Sequence, residues 1–446
     1  MNKRVKKCFI CCLVLSLFFT SFPQLLVYAE NTEQPVQSKV SEEVEYVTFV
    51  EDETNELGMS EEKVVSVEEI APYVILADGE TLPQIKTDEV SVLSDDVVQL
   101  DTEDALYQYL KEQVVARNSQ ITVSVPIEIN NKIGPVSAMT SAQEYTESCT
   151  GQEGDALKYG GVGYSVSTRS YTGATRVTYT YYMNYFSTAE QEKQLTSAVT
   201  CALASLNLNG KTDVEKVIAI HNYICDHVDY DYDGLSDSTN TVKYTAYGAL
   251  CNGKAVCNGY AVLFYRMCKD AGLSVRIIPG TANGGAHAWN IVKCNDKYYQ
   301  MDVTFGDPIF QENETGETLP HDLVNYEYLC CTDEEIFTDH QQDDFVPYPV
   351  CDSNDLEYYR INGLYYETFD ENEIYEKMKA GIEQEQEMFA IRFSENAVYE
   401  VAKEKIIDNL IPRAAQFLVD FRQLEEVKYT YAVDDRKRII MIFWYS

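Results

Sequence analysis

The sequence predicts an α+β protein whose central domain packs a cysteine-bearing helix on an antiparallel sheet. Residues 260–270, which follow Cys257, are apolar on nearly every side, as in a buried helix. Residues 286–292 and 298–303 have the composition of strands, and Asn295-Asp296 between them suits a two-residue hairpin turn. Helical and strand patterns also alternate on both sides of this region. A chain of 446 residues is long enough for such flanking modules to have cores of their own.

The charge of the chain argues against one class of partner. Lys and Arg number 35 against 72 Asp and Glu, which gives a formal net charge of −37 at pH 7. Such a chain repels nucleic acids and anionic lipid surfaces. Nucleic-acid binding is therefore not expected, and the acidity does not by itself indicate a substrate.

Residues 1–29 have the pattern of a secretory signal peptide. Positive residues precede an apolar run over residues 8–22, and Val27-Tyr28-Ala29 is a small-x-small cleavage site. The apolar run is short for a membrane span of roughly 20 residues. The sequence thus predicts a secreted protein, extracellular or associated with the cell wall, with no membrane insertion after signal cleavage. Ten of the thirteen cysteines remain in it, and their disulfide connectivity is left open.

Residues 30–103 are predicted to form an acidic, largely disordered leader. From Glu30 to Asp104 the sequence has 22 acidic residues and three lysines. A segment of this composition buries too little apolar surface to fold by itself.

Residues 104–196 are predicted to form an N-terminal α+β module. Apolar residues at helical spacing indicate a helix over 104–114, and alternation indicates a strand over 120–127. A strand pair over 163–168 and 177–186 follows. The sequence Ser187-Thr188-Ala189-Glu190 is typical of a helix N-terminus, which predicts a helix through residue 206.

Residues 197–346 are predicted to form the central domain, and residues 355–446 a C-terminal α+β module. The C-terminal module opens with a predicted hairpin over 358–366, in which Asn362-Gly363 is the turn. Two helices, the second interrupted by Pro412, then alternate with two strands. This order is similar to that of the N-terminal module. A degenerate repeat of one module is our interpretation, with chance similarity as the alternative.

The central domain places Cys257 at the first turn of its buried helix. Unpaired amides and the helix dipole stabilise a thiolate at that position. Gly259 leaves room for a backbone or a substrate to approach closely. Taken alone, Cys257 could equally be a small buried hydrophobe or half of a disulfide.

The predicted hairpin brings His287 and Asp302 to one face of the sheet. With the turn at Asn295-Asp296, Trp289 lies opposite Asp302 and His287 lies on the diagonal. A slip of one residue would place the pair on opposite faces. A helix-start cysteine with a histidine and a carboxylate on adjacent strands is the thiol form of a catalytic triad.

Three ordered motifs in this region resemble the transglutaminase-like superfamily, whose core fold is related to papain. They are Cys-Asn-Gly-Tyr-Ala at 257–261, His-Ala-Trp-Asn at 287–290 and Asp-Val-Thr-Phe at 302–305. The one departure is Phe305, where the family usually has Trp. The resemblance implies a papain-like core with Cys257 as nucleophile, His287 as base and Asp302 orienting the base.

The resemblance also implies an enzyme that acts on protein or peptide amide bonds through a thioester. Hydrolysis as a cysteine protease and transfer to an amine as an acyltransferase both remain open, and extracellular or cell-wall proteins are the expected substrates. The alternative is a non-catalytic extracellular or cell-wall binding protein built on the same core.

Residues around the predicted triad are assigned less specifically. Tyr247 and Asn252 are candidates for the second oxyanion donor beside the amide of Cys257, and Trp289 either walls the acyl pocket or packs beneath it. No Cys/His spacing resembles a zinc site and no glycine-rich phosphate loop occurs, so neither a metal nor a cofactor is expected.

Overall fold

The computed structural model describes most of the chain after the predicted signal peptide. The described residues are 47–54, 60–70, 97–146, 154–171, 173–237, 239–307, 324–343, 347–386, 388–424 and 427–445. The predicted signal peptide at 1–29 lies outside them. Within the described ranges, no helix is both long and apolar enough to span a membrane.

The described residues divide into two compact units, one ending at Gly363 and one beginning at Leu364. The regions predicted as the N-terminal module and the central domain thus belong to one unit. The C-terminal unit begins later than residue 355, because residues 355–363 contact the larger unit. Asp355 accepts hydrogen bonds from Lys297 and Tyr299, at 2.9 and 2.7 Å.

The first part of the larger unit is a six-stranded sheet in the order β1-β2-β5-β6-β4-β3, with apolar faces of its helices packed on it. Its elements are β1 (Val47–Thr54), β2 (Ser60–Ile70), β3 (Val98–Gln99), α1 (Glu103–Val115), β4 (Gln120–Pro126), α2 (Ile127–Ala142), α3 (Asp155–Tyr159), β5 (Val162–Tyr171) and β6 (Arg176–Tyr185).

The two strands β1 and β2 lie in the segment that the sequence predicts to be largely disordered. The structure shows paired strands at these two places, and the prediction for the leader as a whole stays a prediction. Strand β2 pairs antiparallel with β5 from Lys63 to Ile70, and β1 pairs with β2. Both strands contain Val, and β1 also contains Thr, residues that favour extended structure. A composition argument cannot detect the partner strand that completes their backbone hydrogen bonds.

The second part of the larger unit contains a five-stranded antiparallel sheet in the order β12-β11-β10-β9-β13. Its elements are α4 (Ala189–Ser205), α5 (Asp213–His227), β7 (Asp229–Tyr230), α6 (Ala246–Asn252), β8 (Lys254–Ala255), α7 (Cys257–Asp270), β9 (Ser274–Ala282), β10 (Gly285–Cys294), β11 (Lys297–Met301), α8 (Val303–Gly306), β12 (Leu329–Cys331), α9 (Asp333–Ile336), β13 (His340–Gln342) and α10 (Tyr358–Ile361).

Helix α7 packs on this sheet, as the sequence predicts. All but the last of its residues are buried, and they share one apolar cluster with residues of β9, β10 and β11. Asn290 on β10 donates hydrogen bonds to the carbonyl oxygens of Ala261 and Arg276, at 3.1 and 3.0 Å. One amide side chain therefore joins the cysteine-bearing helix to two neighbouring strands. These features confirm the α+β prediction.

The hairpin register also agrees with the sequence prediction. Asn290 pairs with Met301, and Cys294 pairs with Lys297 across the turn. Both turn residues have positive φ, 50° at Asn295 and 63° at Asp296. These are the angles that a two-residue type I′ turn requires, and Asn and Asp tolerate them well.

The C-terminal unit is a four-stranded sheet in the order β14-β15-β17-β16 with helices packed on it. Its elements are β14 (Tyr365–Tyr366), α11 (Glu371–Glu383), β15 (Met388–Phe393), α12 (Asn396–Lys405), a π-helical turn (Ile406–Leu410), α13 (Ile411–Arg422), β16 (Lys428–Asp434) and β17 (Ile439–Tyr445). Pro412 lies in the first turn of α13, so the predicted interruption of this helix is present.

The hairpin predicted over 358–366 is wrong. Residues 358–361 form α10, and β14 pairs parallel with β15 instead of pairing back on residues 358–361. Gly363 does have the positive φ of a turn residue, 64°. The first half of the predicted hairpin is held elsewhere, because the ring of Tyr358 stacks on Tyr326 at 3.7 Å.

The N-terminal and C-terminal sheets share one connectivity. In the first, β3 is parallel to β4, and β4, β6 and β5 follow in antiparallel order. In the second, β14 is parallel to β15, and β15, β17 and β16 follow in the same way. Helix α1 lies between β3 and β4 as α11 lies between β14 and β15, and helices also precede the final hairpin of each sheet. This agreement supports the repeat interpretation.

Candidate active site

Cys257 is the first residue of α7, at the junction with the preceding strand. Val256 is the N-cap residue, and no side chain caps the helix. The amides of a first helical turn lack partners within the helix, and the dipole makes this end positive. The local structure therefore stabilises negative charge on the sulfur or on an oxygen bound beside it. Cys257 itself is 4% exposed.

Gly259 makes the close packing at this junction possible. A Cβ atom here would lie 2.7 Å from the carbonyl oxygen of Lys243 and 2.6 Å from the side chain of Ala255. The sequence predicted that a backbone or a substrate approaches Gly259 closely, and in the structure it is the backbone at Lys243 that does so.

His287 lies on β10 and is oriented through one ring nitrogen. Its Nε2 donates to Asp302 Oδ2 at 2.6 Å, and the Cys257 side chain lies close enough to raise the pKa of the imidazole. Since Nε2 is bound to Asp302, Nδ1 is the nitrogen left for the thiol. Trp289 stacks beside the ring with centroids 6.1 Å apart, and Phe305 packs against it at 4.9 Å.

Asp302 follows β11 directly and is the N-cap residue of α8. Its Oδ1 accepts the amide hydrogen of Phe305 at 3.2 Å, while Oδ2 faces His287. The carboxylate is completely buried. A cap that also binds an imidazole has little freedom to rotate, so α8 fixes the orientation of the histidine.

The charges of these groups support one another. Burial lowers the pKa of His287, but the carboxylate of Asp302 and the side chain of Cys257 outweigh burial and raise that pKa to about 10. Burial raises the pKa of Asp302, and the hydrogen bonds and charges of His287 and His340 outweigh it and hold the pKa well below its usual value. At neutral pH the site therefore contains an imidazolium bound to a carboxylate.

His340 is a site residue that the sequence analysis missed. It lies on the edge strand β13, and its Nε2 is 3.0 Å from Asp302 Oδ2. Its Nδ1 is 2.5 Å from Asp339 Oδ1, and Asp339 Oδ2 accepts the hydroxyl of Tyr328 at 2.6 Å. No motif surrounds His340, which follows Asp302 by 38 positions. The weak signal was that it is one of only five histidines.

A comparison with protein families agrees with this geometry. Residues 203–303 match the family model of the transglutaminase-like superfamily. This confirms the resemblance predicted from the motifs. The matched range contains Cys257, His287 and Asp302, and it covers 101 of the 446 residues.

Individual proteins similar to this transglutaminase-like region cover it only in part. The kyphoscoliosis peptidase of Homo sapiens is 33% identical over 107 residues, which are 21% of this chain and 16% of that protein. The kyphoscoliosis peptidase of Mus musculus is 28% identical over 144 residues, which are 30% of this chain and 21% of that protein. A crystal structure of a TGase is 14% identical, covers 50% of this chain and 63% of its own, and has a TM-score of 0.26.

The other three candidate site residues predicted from the sequence are Trp289, Tyr247 and Asn252. Trp289 is 1% exposed and donates its indole N–H to Gln300 at 2.8 Å, so it packs beneath His287. The hydroxyl of Tyr247 donates to Gln194 at 3.1 Å, and Asn252 is exposed at the end of α6. Among the described residues, no hydrogen bond joins Tyr247 or Asn252 to a triad side chain, so the oxyanion role of each remains a prediction.

The same cluster contains the ligand types that a metal ion would use. His287, Asp302 and His340 each offer one ligand atom, and these atoms lie within 4.8 Å of one another. However, the three side chains are joined directly by hydrogen bonds of 2.6 and 3.0 Å. A cation would have to replace both bonds, so we describe the cluster as a hydrogen-bonded one.

Proposed function

We propose that this protein is a secreted thiol enzyme that cleaves or exchanges amide bonds of proteins or peptides through a thioester on Cys257. The observation that carries the proposal is the position of Cys257, at the start of a buried helix and beside His287, whose Nε2 is hydrogen-bonded to Asp302 at 2.6 Å. The similarity to transglutaminase-like proteins supports the same class of chemistry.

The first step in this proposal is attack by the sulfur. His287 is protonated at neutral pH, because its pKa is raised to about 10. The thiolate of Cys257 adds to the amide carbonyl, the C–S bond forms, and the carbonyl electrons move to oxygen. The amides at the start of α7 stabilise that oxyanion. Asp302 keeps the imidazolium in position throughout.

The second step releases the amine. The oxyanion re-forms the carbonyl, the C–N bond breaks, and His287 Nδ1 gives its proton to the leaving nitrogen. The thioester then reacts with water or with a second amine, whose proton returns to His287. Hydrolysis and transamidation differ only in this final acceptor. Ammonia release from a glutamine peptide, with and without incorporation of a primary amine, distinguishes the two.

The substrate class and location are also proposals. The signal-peptide pattern of residues 1–29 supports export, and an exported enzyme of this kind meets extracellular or cell-wall proteins. The matched segments span only 16% and 21% of the kyphoscoliosis peptidases.

The first test is the rate at which iodoacetamide alkylates Cys257, followed peptide by peptide with mass spectrometry. In the wild type we expect Cys257 to react faster than the exposed Cys201 and Cys251, which serve as internal references. In His287→Ala we expect the alkylation rate of Cys257 to fall on the order of tenfold or more, because the thiolate is no longer stabilised by an imidazolium.

Two results would contradict the proposal. One is a Cys257 that reacts no faster than Cys201 in the wild type. The other is a His287→Ala variant that keeps the wild-type rate at Cys257. Either result would favour the binding-protein alternative on the same core.

A further inference from the structure

His340 is enclosed so tightly that its hydrogen bonds determine what it can do. Its side chain is 0% exposed. Trp289, Phe305 and Tyr328 surround the ring, with centroid distances of 5.1, 5.0 and 5.4 Å. An imidazole among aromatic rings has no access to water, so its polar atoms depend on protein partners.

Both ring nitrogens of His340 have a carboxylate oxygen as partner. Nε2 is 3.0 Å from Asp302 Oδ2, and Nδ1 is 2.5 Å from Asp339 Oδ1. The hydrogen bond from His340 is one of the contacts that hold the pKa of Asp302 below its usual value. The contact with Asp339 fixes the orientation of the His340 ring.

Each oxygen of the Asp302 carboxylate accepts at least one hydrogen bond. Phe305 donates its amide to Oδ1, while His287 and His340 both donate to Oδ2. If His340 were absent, Oδ2 would keep a single donor. A buried carboxylate with fewer donors is less firmly oriented, and the histidine that depends on it is less firmly oriented as well.

We propose that His340 is a fourth member of the candidate active site, a positioning residue that Asp339 holds in place and that fixes the Asp302 oxygen bound by His287. The inference rests on the proposed function, because it concerns the reactivity of the same Cys257. His340 does not contact the thiol; it acts through Asp302 and His287.

The hydrogen bond from His340 to Asp302 has a direct spectroscopic test. In the wild-type protein with ¹⁵N-labelled histidine and a chelator present, Nε2 of His340 should carry the proton that it donates to Asp302. An Nε2 without a proton would overturn the proposal.

The functional test compares His340→Gln with His221→Gln, the same substitution at a second buried histidine. The His221 ring nitrogens contact Asn222 and Cys225, and in the part of the chain that the structure describes no hydrogen bond joins them to a triad side chain, although the charge of Asp302 acts on His221. With rates measured per folded molecule, His340→Gln should slow alkylation of Cys257 on the order of tenfold, and His221→Gln should leave the rate unchanged. Asp339→Asn should be intermediate, since it weakens the hold on His340 without removing it.

The outcomes separate this inference from the proposed function. If the wild type reacts rapidly, His287→Ala is slow and His340→Gln equals the wild type, the inference fails and the proposed function stands. If His340→Gln and His221→Gln slow Cys257 equally, the role of His340 is structural and the inference also fails. If wild type and His287→Ala react alike, the proposed function fails first.

Discussion

The identity of three side chains and the spacing between them determined most of the candidate site. Cys257, His287 and Asp302 were predicted from a helix start, a strand and a hairpin register, and the structure joins the latter two at 2.6 Å. Local sequence suffices here because a two-residue turn fixes the register of a hairpin. Phe305, the departure from the family motif, packs against His287 at 4.9 Å and keeps an aromatic ring at that position.

His340 could not be predicted in the same way. Its strand is three residues long, and it reaches Asp302 only through the pairing of β13 with β9. Neither periodicity nor turn chemistry indicates such a contact. Tertiary contacts of this kind, between segments far apart in the sequence, are what sequence patterns record least.

His287 makes folding stability depend on pH in a defined direction. Its pKa is raised to about 10 in the folded protein, from the ordinary value of roughly 6.5 expected in the unfolded chain. The folded state therefore binds the proton more tightly. The contribution of His287 to the free energy of unfolding is complete below about pH 6.5 and is lost as the pH rises through about 10.

We therefore expect the stability difference between wild type and His287→Gln to shrink as the pH is raised from about 7 to about 10. Urea unfolding at several pH values measures this difference. The same substitution at the exposed His227 is the control. A difference that is constant or grows with pH would contradict the assignment of the raised pKa to His287.

At the scale of elements, the approach of β13 to β9 depends on one glycine. Gly280 pairs with His287 on one side and with Gln342 on the other. A Cβ atom at Gly280 would lie 2.1 Å from the carbonyl oxygen of Gln341 and 2.8 Å from the indole of Trp289. A side chain there would push β13, and His340 with it, away from the sheet.

Gly280→Ala should consequently lower the free energy of unfolding by about 1–3 kcal/mol through overpacking, which is measured as a lower melting temperature. It should also slow alkylation of Cys257. Gly284→Ala is the matched control. It lies in the β9–β10 connection, where a Cβ would meet nothing within 4 Å and only the positive φ of 86° is strained. Equal loss of Cys257 reactivity in both variants would argue against a specific role for the β13 contact.

For the whole molecule, sequence patterns predicted modules better than they predicted partners of individual strands. The helix–strand order of the flanks was visible because each element has its own periodicity. The pairing of β2 with β5, and the packing of Tyr358 on Tyr326, depend on surfaces that no local pattern describes. The hairpin predicted over 358–366 was wrong for this reason.

The strand order of the central sheet also affects the course of folding. Strand β13 lies at the edge opposite β12, although His340 follows Cys331 by only nine positions (340 minus 331). The chain must therefore traverse the sheet before His340 can reach Asp302. Three residue pairs and two flanking backbone hydrogen bonds hold β13 to β9, and contacts between segments far apart in the sequence form slowly.

Thiol reactivity should therefore appear late when the protein refolds. During refolding from denaturant we expect the far-ultraviolet circular dichroism to recover before the fast, native-like alkylation of Cys257, sampled with brief pulses of iodoacetamide. Recovery of both signals at the same rate would show that the edge strand forms together with the rest of the sheet. If the circular dichroism recovers first, a newly made chain forms most of its secondary structure before Cys257 becomes reactive.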